Sequence, residues 1–217
     1  VKQWSGRLIL GTFLSPFLFL LYLANTRSAW LGFFASFLFV LFVRSRKLFK
    51  ILVSLLAIIA ILAFFAPKEK TGNLFGMSSL QDRFYMWHIG WKIFKKHPII
   101  GSGLNMGFHE FQEYREDKYR GKQGSYFHNG FLQIAVETGI IGLIAFLLIL
   151  WKAFISTFRY VRAEKDDFKR TFSLGLLGGL AAFLIHSFFD TNLQSLPLAA
   201  LFWSSLAFLI AAQKVNA

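Results

Sequence analysis

Three small groups of polar residues stand at the ends of long apolar runs: Arg27, then His128 followed by Asn129, then His186 with Asp190. A guanidinium is a planar fork of donors that matches a phosphate. A neutral imidazole can take a proton from a hydroxyl near neutral pH. Together they could bind a diphosphate and activate a hydroxyl acceptor. Each also has a plainer reading. Arg27 could snorkel to headgroups, His128 could be a structural residue at a helix start, and His186 and Asp190, one helical turn apart, could simply pair. Arg83 could be a second diphosphate ligand or a solvated charge paired with Asp82. The histidines at 88, 97 and 109 share no metal-site spacing with His128, so no metal and no cofactor is expected.

The elements that must position these residues are membrane spans. The chain has 217 residues, 55% hydrophobic and only 16% charged, against about 25% charged in soluble domains. The charges are also segregated. Stretches 8–26, 28–43, 51–67 and 138–151 have none, and 171–213 has only Asp190. Crossing about 30 Å of hydrocarbon takes roughly 20 apolar residues. The expected spans are 8–24, 28–43, 51–66, 130–153, 173–189 and 196–212, an all-α integral membrane protein of about six transmembrane helices. The net charge of +13 does not imply nucleic acid, because the basic residues lie between apolar runs and not along one soluble face. With no cysteine, there is no disulfide or thiolate site. No cleavable leader is evident.

Arg44, Arg46, Lys47 and Lys50 cluster between the second and third runs, which places that turn in the cytoplasm. Alternation then puts loop 154–172, also basic, inside, and loops 25–27, 67–129 and 190–195 outside. The chain divides into three spans (1–66), a long non-cytoplasmic loop (67–129) and three more spans (130–217). Arg27, His128 and Asp190 fall at one membrane depth, beneath that loop. Within the loop, residues 79–82 resemble a helix cap, and 80–97 read as an amphipathic helix with Phe84, Trp87, His88 and Trp91 on one face. Pro98 stops it, and 108–123 is a polar stretch of mixed charge. Asn129, Gln133 and Glu137 form a polar stripe on the fourth span, where Glu137 at mid-bilayer would cost on the order of 2.5–3.5 kcal/mol. Hydrogen bonding between helices is the expected role of Gln133 and Glu137.

The residues Asp82-Arg-Phe-Tyr-Met-Trp87, His97-Pro-Ile-Ile-Gly-Ser-Gly103 and His128-Asn-Gly-Phe-Leu-Gln-Ile-Ala-Val-Glu-Thr-Gly-Ile-Ile-Gly142 resemble the O-antigen ligase family, as does Asn25-Thr-Arg-Ser28 before a span. The resemblance runs from about residue 20 to 212. It implies a GT-C-like polytopic glycosyltransferase in the bacterial inner membrane, its site on the periplasmic face. Family members have more spans than are counted in this chain, so a C-terminal half is expected. The implied donor is an undecaprenyl-diphosphate-linked glycan. The implied acceptor is lipid A core, another glycan or a protein hydroxyl, and membrane lipid is the remaining partner. The implied catalytic residues are His128 as base with Arg83 and Arg27 on the diphosphate. Asn129, Trp87, His186 and Asp190 are expected to contact substrate, and loop 67–129 to close over it. A polymerase or protein transferase fits the same motifs. A lipid-linked glycan transporter is the rival without chemistry, and a scaffold would leave the arginines and histidine without a role.

Overall fold

The computed structural model describes residues 2–24, 26–64, 77–114 and 126–214. Asn25, the loop stretches 67–76 and 115–125, and Phe65 and Ala66 at the end of the third expected span lie outside the described residues. Every described element is helical: α1 (Lys2–Leu23), α2 (Arg27–Arg44), α3 (Arg46–Phe64), α4 (Met77–Lys96), α5 (Gly107–Glu113), α6 (Gly130–Ala163), α7 (Asp167–Ser187) and α8 (Leu196–Lys214), with a 3-10 turn at Asn192–Gln194 before α8. Four of them, α2, α6, α7 and α8, are long and apolar enough to cross a membrane. Their outward side chains are apolar: Phe37, Ile144, Leu148, Leu201 and Phe208 are all exposed. In water such a surface would associate, whereas in lipid it needs no partner. The chain is a polytopic membrane protein.

A core of Phe146 and Leu150 from α6, Leu177 and Leu180 from α7, and Phe202, Leu206 and Leu209 from α8 joins the last three spans. Helix α2 lies antiparallel along α7. Small residues allow the approach, as expected where no hydrophobic driving force acts between helices. A Cβ on Gly32 would stand 2.6 Å from the Ala182 carbonyl oxygen, and one on Gly178 would stand 2.7 Å from Val40 Cγ2. At one end the Arg44 guanidinium donates to both Asp167 carboxylate oxygens, at 2.6 and 3.2 Å. The same register carried toward the other end places Arg27 level with the last turn of α7. That end lies about 30 Å from the Arg44–Asp167 pair, the rise of a 21-residue helix.

Helix α6 is broken. Gly139 has φ 66° and ψ −168°, a region essentially confined to glycine, so residues 130–138 form a separate short helix above the main span. The loop after α4 docks onto the break through backbone hydrogen bonds. Ser102 N–H and Gly103 N–H donate to the carbonyls of Val136 and Glu137, at 2.8 and 3.1 Å, while Ile140 N–H donates to Pro98 O at 2.9 Å. Gly101, at φ 75°, packs on the Glu137 backbone where a Cβ would collide with it. A second core of Ile89, Ile93, Phe111, Phe127 and Val136 holds α4 and α5 against this short helix. Lys96 reaches Glu110 at 3.2 Å and ties α5 to the end of α4.

Several expectations change. The loop expected at 154–172 shrinks to 164–166, because α6 and α7 both continue through their charged ends; Asp166 caps α7 by accepting from Lys169 N–H at 2.9 Å. Residues 79–82 are not a cap, since they lie inside α4. The stripe of Phe84, His88 and Trp91 is exposed, and the packed face of α4 is Ile89, Gly90 and Ile93. A Cβ on Gly90 would meet Leu132 Cδ2 at 2.8 Å, so α4 approaches α6 closely at this point.

Candidate active site

Asn129 starts the short helix of α6 as its cap, its side-chain oxygen accepting from Leu132 N–H at 2.9 Å. His128, just before it, has φ 48°. A left-handed conformation costs a non-glycine residue on the order of 1–3 kcal/mol and persists where surrounding contacts over-determine it. Those contacts are present. Trp87 Nε1–H of α4 donates to the His128 carbonyl at 3.3 Å. The His128 ring places Nδ1 3.3 Å from Asp190 Oδ1. Gly130 N–H donates to the Asp190 carbonyl at 3.0 Å.

Asp190 belongs to the turn that follows α7. Its carboxylate is held below the usual range, first by the hydrogen bond from His128. The Thr191 backbone N–H, which donates to it at 2.8 Å, and the charges of His128 and His186 act the same way, against partial burial. An ionised carboxylate only accepts, so Nδ1 of His128 carries a proton, and in the neutral ring the lone pair is left to Nε2. The half-exposed ring therefore turns its basic nitrogen away from Asp190. The expected pairing of His186 with Asp190 is replaced. Helix α7 ends at Ser187, so Asp190 does not lie one helical turn beyond His186. Instead His186 Nδ1 lies 3.1 Å from the Asn192 side-chain amide nitrogen.

Arg83, half-buried on α4 one turn before Trp87, is within electrostatic reach of His186. Arg83, Trp87, His128, His186 and Asp190 are thus gathered at one end of the bundle. Arg27 is exposed at the first turn of α2, placed at the same end by the α2–α7 register. The first N–H groups of α2 have no side-chain cap, and a helix N-terminus favours an anion. Asn129 is buried with its oxygen committed to the cap.

Glu137 is buried beside the 3-10 turn, accepting from Gln133 Nε2 at 2.6 Å and from Gln194 Nε2 at 3.3 Å. The stripe at i, i+4, i+8 was visible in the sequence. The part of Gln194, and the docking of 98–103 on α6, depend on contacts far apart in the chain and had no local signal.

The family model described as O-antigen ligase matches residues 12–147. The exopolysaccharide production protein ExoQ of Rhizobium meliloti is 32% identical over 121 residues, covering 54% of this chain and 27% of that protein. A Rickettsia conorii protein named as a candidate polysaccharide ligase is 38% identical over 81 residues, covering 34% of this chain and 19% of that protein. The matched regions thus span about a quarter and a fifth of these two relatives. The family model matches more than half of the chain and covers α2, α4, His128, Asn129 and the broken start of α6, so the chain belongs to the O-antigen ligase family.

Proposed function

We propose that this end of the bundle is the reacting centre of a membrane glycosyltransferase, which moves a glycan from a polyprenyl diphosphate to a hydroxyl acceptor. The observation that carries the reading is the His128–Asp190 pair at 3.3 Å, oriented so that Nε2 holds the lone pair. The acceptor O–H gives its proton to Nε2. The oxygen forms a bond to the anomeric carbon as the bond from that carbon to the diphosphate oxygen breaks, and polyprenyl diphosphate leaves. Asp190 stabilises the imidazolium that results. Arg83, Arg27 and the N-terminus of α2 counter the charge that grows on the leaving diphosphate. One displacement inverts the anomeric centre.

The site faces the non-cytoplasmic side. The support is the basic set at the opposite end, Arg44, Arg46, Lys47 and Lys50 with Lys165, Lys169 and Arg170, which prefers the cytoplasm. The first reading of the acceptor is lipid A core. A growing polysaccharide is the second, favoured by the name of the Rhizobium relative.

The test is a reaction of purified protein with a polyprenyl-diphosphate glycan and each acceptor, in the presence of EDTA. Transfer with inversion is expected. Arg83→Ala and Arg27→Ala are each expected to lower turnover by about 10²-fold, as for the loss of one donor to developing charge. A retained anomeric configuration, or wild-type kinetics in both arginine variants, contradicts the reading.

A further inference from the structure

Two of the largest buried polar side chains lie next to the site without touching it. Gln133 is 1% exposed and Glu137 is 5% exposed. Gln133 Oε1 accepts from the Phe127 backbone N–H at 3.3 Å, and its Nε2 donates to Glu137 Oε1 at 2.6 Å. Glu137 Oε2 accepts from Gln194 Nε2 at 3.3 Å. The chain of bonds therefore begins at the residue before His128 and ends in the 3-10 turn four residues after Asp190. Its two ends grip the two backbone segments that bear the reacting pair.

Among the described residues no salt bridge is formed by Glu137. A buried charge at a helix packing surface is costly unless its bonds are complete. Both of its oxygens have amide donors, and its own carbonyl also accepts from Gly103 N–H at 3.1 Å. The segment it holds is the strained one, with His128 at φ 48°.

We propose that Gln133, Glu137 and Gln194 form a positioning clamp, which sets the distance and orientation between His128 and Asp190. The inference rests on the reading of His128 as the base. The clamp touches no substrate; it acts through the two segments. A buried network works as a unit only when every member is satisfied, so breaking one link releases His128 from its strained conformation. The expected cost falls on the chemical step, because misplacing a reacting group by an ångström can cost about 10²-fold while leaving binding intact.

The bond order suggests the experiment. Gln133→Met keeps the shape and removes the middle link. Transfer by this variant should show kcat lowered by about 10–100-fold, with the donor KM within about two-fold of wild type. The double substitution Gln133→Glu with Glu137→Gln reverses the middle donor and acceptor and keeps all three bonds. The side chain at 133 then accepts from Phe127 and from the new amide at 137, whose oxygen accepts from Gln194. This variant should recover most of the lost kcat. A role in folding alone predicts otherwise: less folded protein, but unchanged kcat per folded molecule. Wild-type kcat in Gln133→Met, or no recovery in the double variant, overturns the clamp. If Gln133→Met does not accumulate, Gln194→Met at the half-buried rim decides, with the same kcat loss expected and wild-type kcat overturning. His128→Ala is measured alongside. Transfer retained there overturns the base reading itself, whereas no transfer there with wild-type kcat in the clamp variants overturns the clamp alone.

Discussion

At the scale of single residues, the proposed base His128 has Asp190 as its partner, Nδ1 to Oδ1 at 3.3 Å. An asparagine there could donate to Nδ1 and leave the proton on Nε2, the wrong tautomer for a base. Asp190→Asn is therefore expected to lower kcat by about 10²-fold or more, read from initial rates at saturating donor. The same substitution has a pH signature in stability. Asp190 is held below the usual carboxylate range by His128 and by the Thr191 N–H. A depressed folded value contributes stability above the unfolded pKa of about 3.9, and that contribution is lost as pH falls through the lowered value. Thermal unfolding in detergent should show wild type above Asp190→Asn at pH 7 and the two converging in strong acid. A difference that persists unchanged in acid contradicts the lowered Asp190 carboxyl group. His128 and Arg27 could be proposed from the sequence as polar residues at span ends, and Arg83 as a charge on the loop helix above them. Asp190 could be picked as a residue but not by partner, because the end of α7 at Ser187 decides which histidine it meets.

At the scale of elements, the break in α6 positions the site. The short helix 130–138 carries Asn129, Gln133 and Glu137, and loop 98–103 locks it through backbone bonds. Gly139→Ala forces an alanine into a glycine-only conformation and drives its Cβ into the Ile99 carbonyl. The conformation alone costs about 1–3 kcal/mol, and a shift of roughly 2–4 °C per kcal/mol is typical at this size. A large fall in the melting midpoint is expected. Gly179→Ala is the control, because a Cβ there meets nothing within 4 Å; no fall is expected for it. Equal effects of the two contradict the docking. The helices themselves were legible, since long uncharged runs and Pro98 mark them. Their ends were not. Helices α6 and α7 run on through charged residues because helix formation does not stop at the membrane surface, and the packed face of α4 is set by Gly90 fitting against Leu132.

At the scale of the whole molecule, two ends of opposite character face each other across about 30 Å of helix. One holds Arg44–Asp167 and the basic turns, and the other holds His128–Asp190 beneath α4 and α5. The orientation is testable without altering the background, because the chain has no cysteine. Lys92→Cys should react with an impermeant thiol reagent added to intact cells, and Lys165→Cys only after the membrane is opened. The reverse pattern overturns the placement of the site. That the chain is an all-helical, multi-span protein was readable from its long uncharged apolar runs. The sharing of one end by three sequence-distant groups was expected from topology, but the clamp was not, because Gln133 and Glu137 show only an i, i+4 spacing and Gln194 lies far along the chain.

The most direct test of the account is transfer by His128→Ala, measured on folded, membrane-inserted protein with a polyprenyl-diphosphate glycan and a hydroxyl acceptor. Loss of a general base predicts a fall in kcat of about 10²–10⁴-fold, with donor binding kept because the arginines are intact. Turnover equal to wild type would show that His128 takes no proton from the acceptor and would contradict the account.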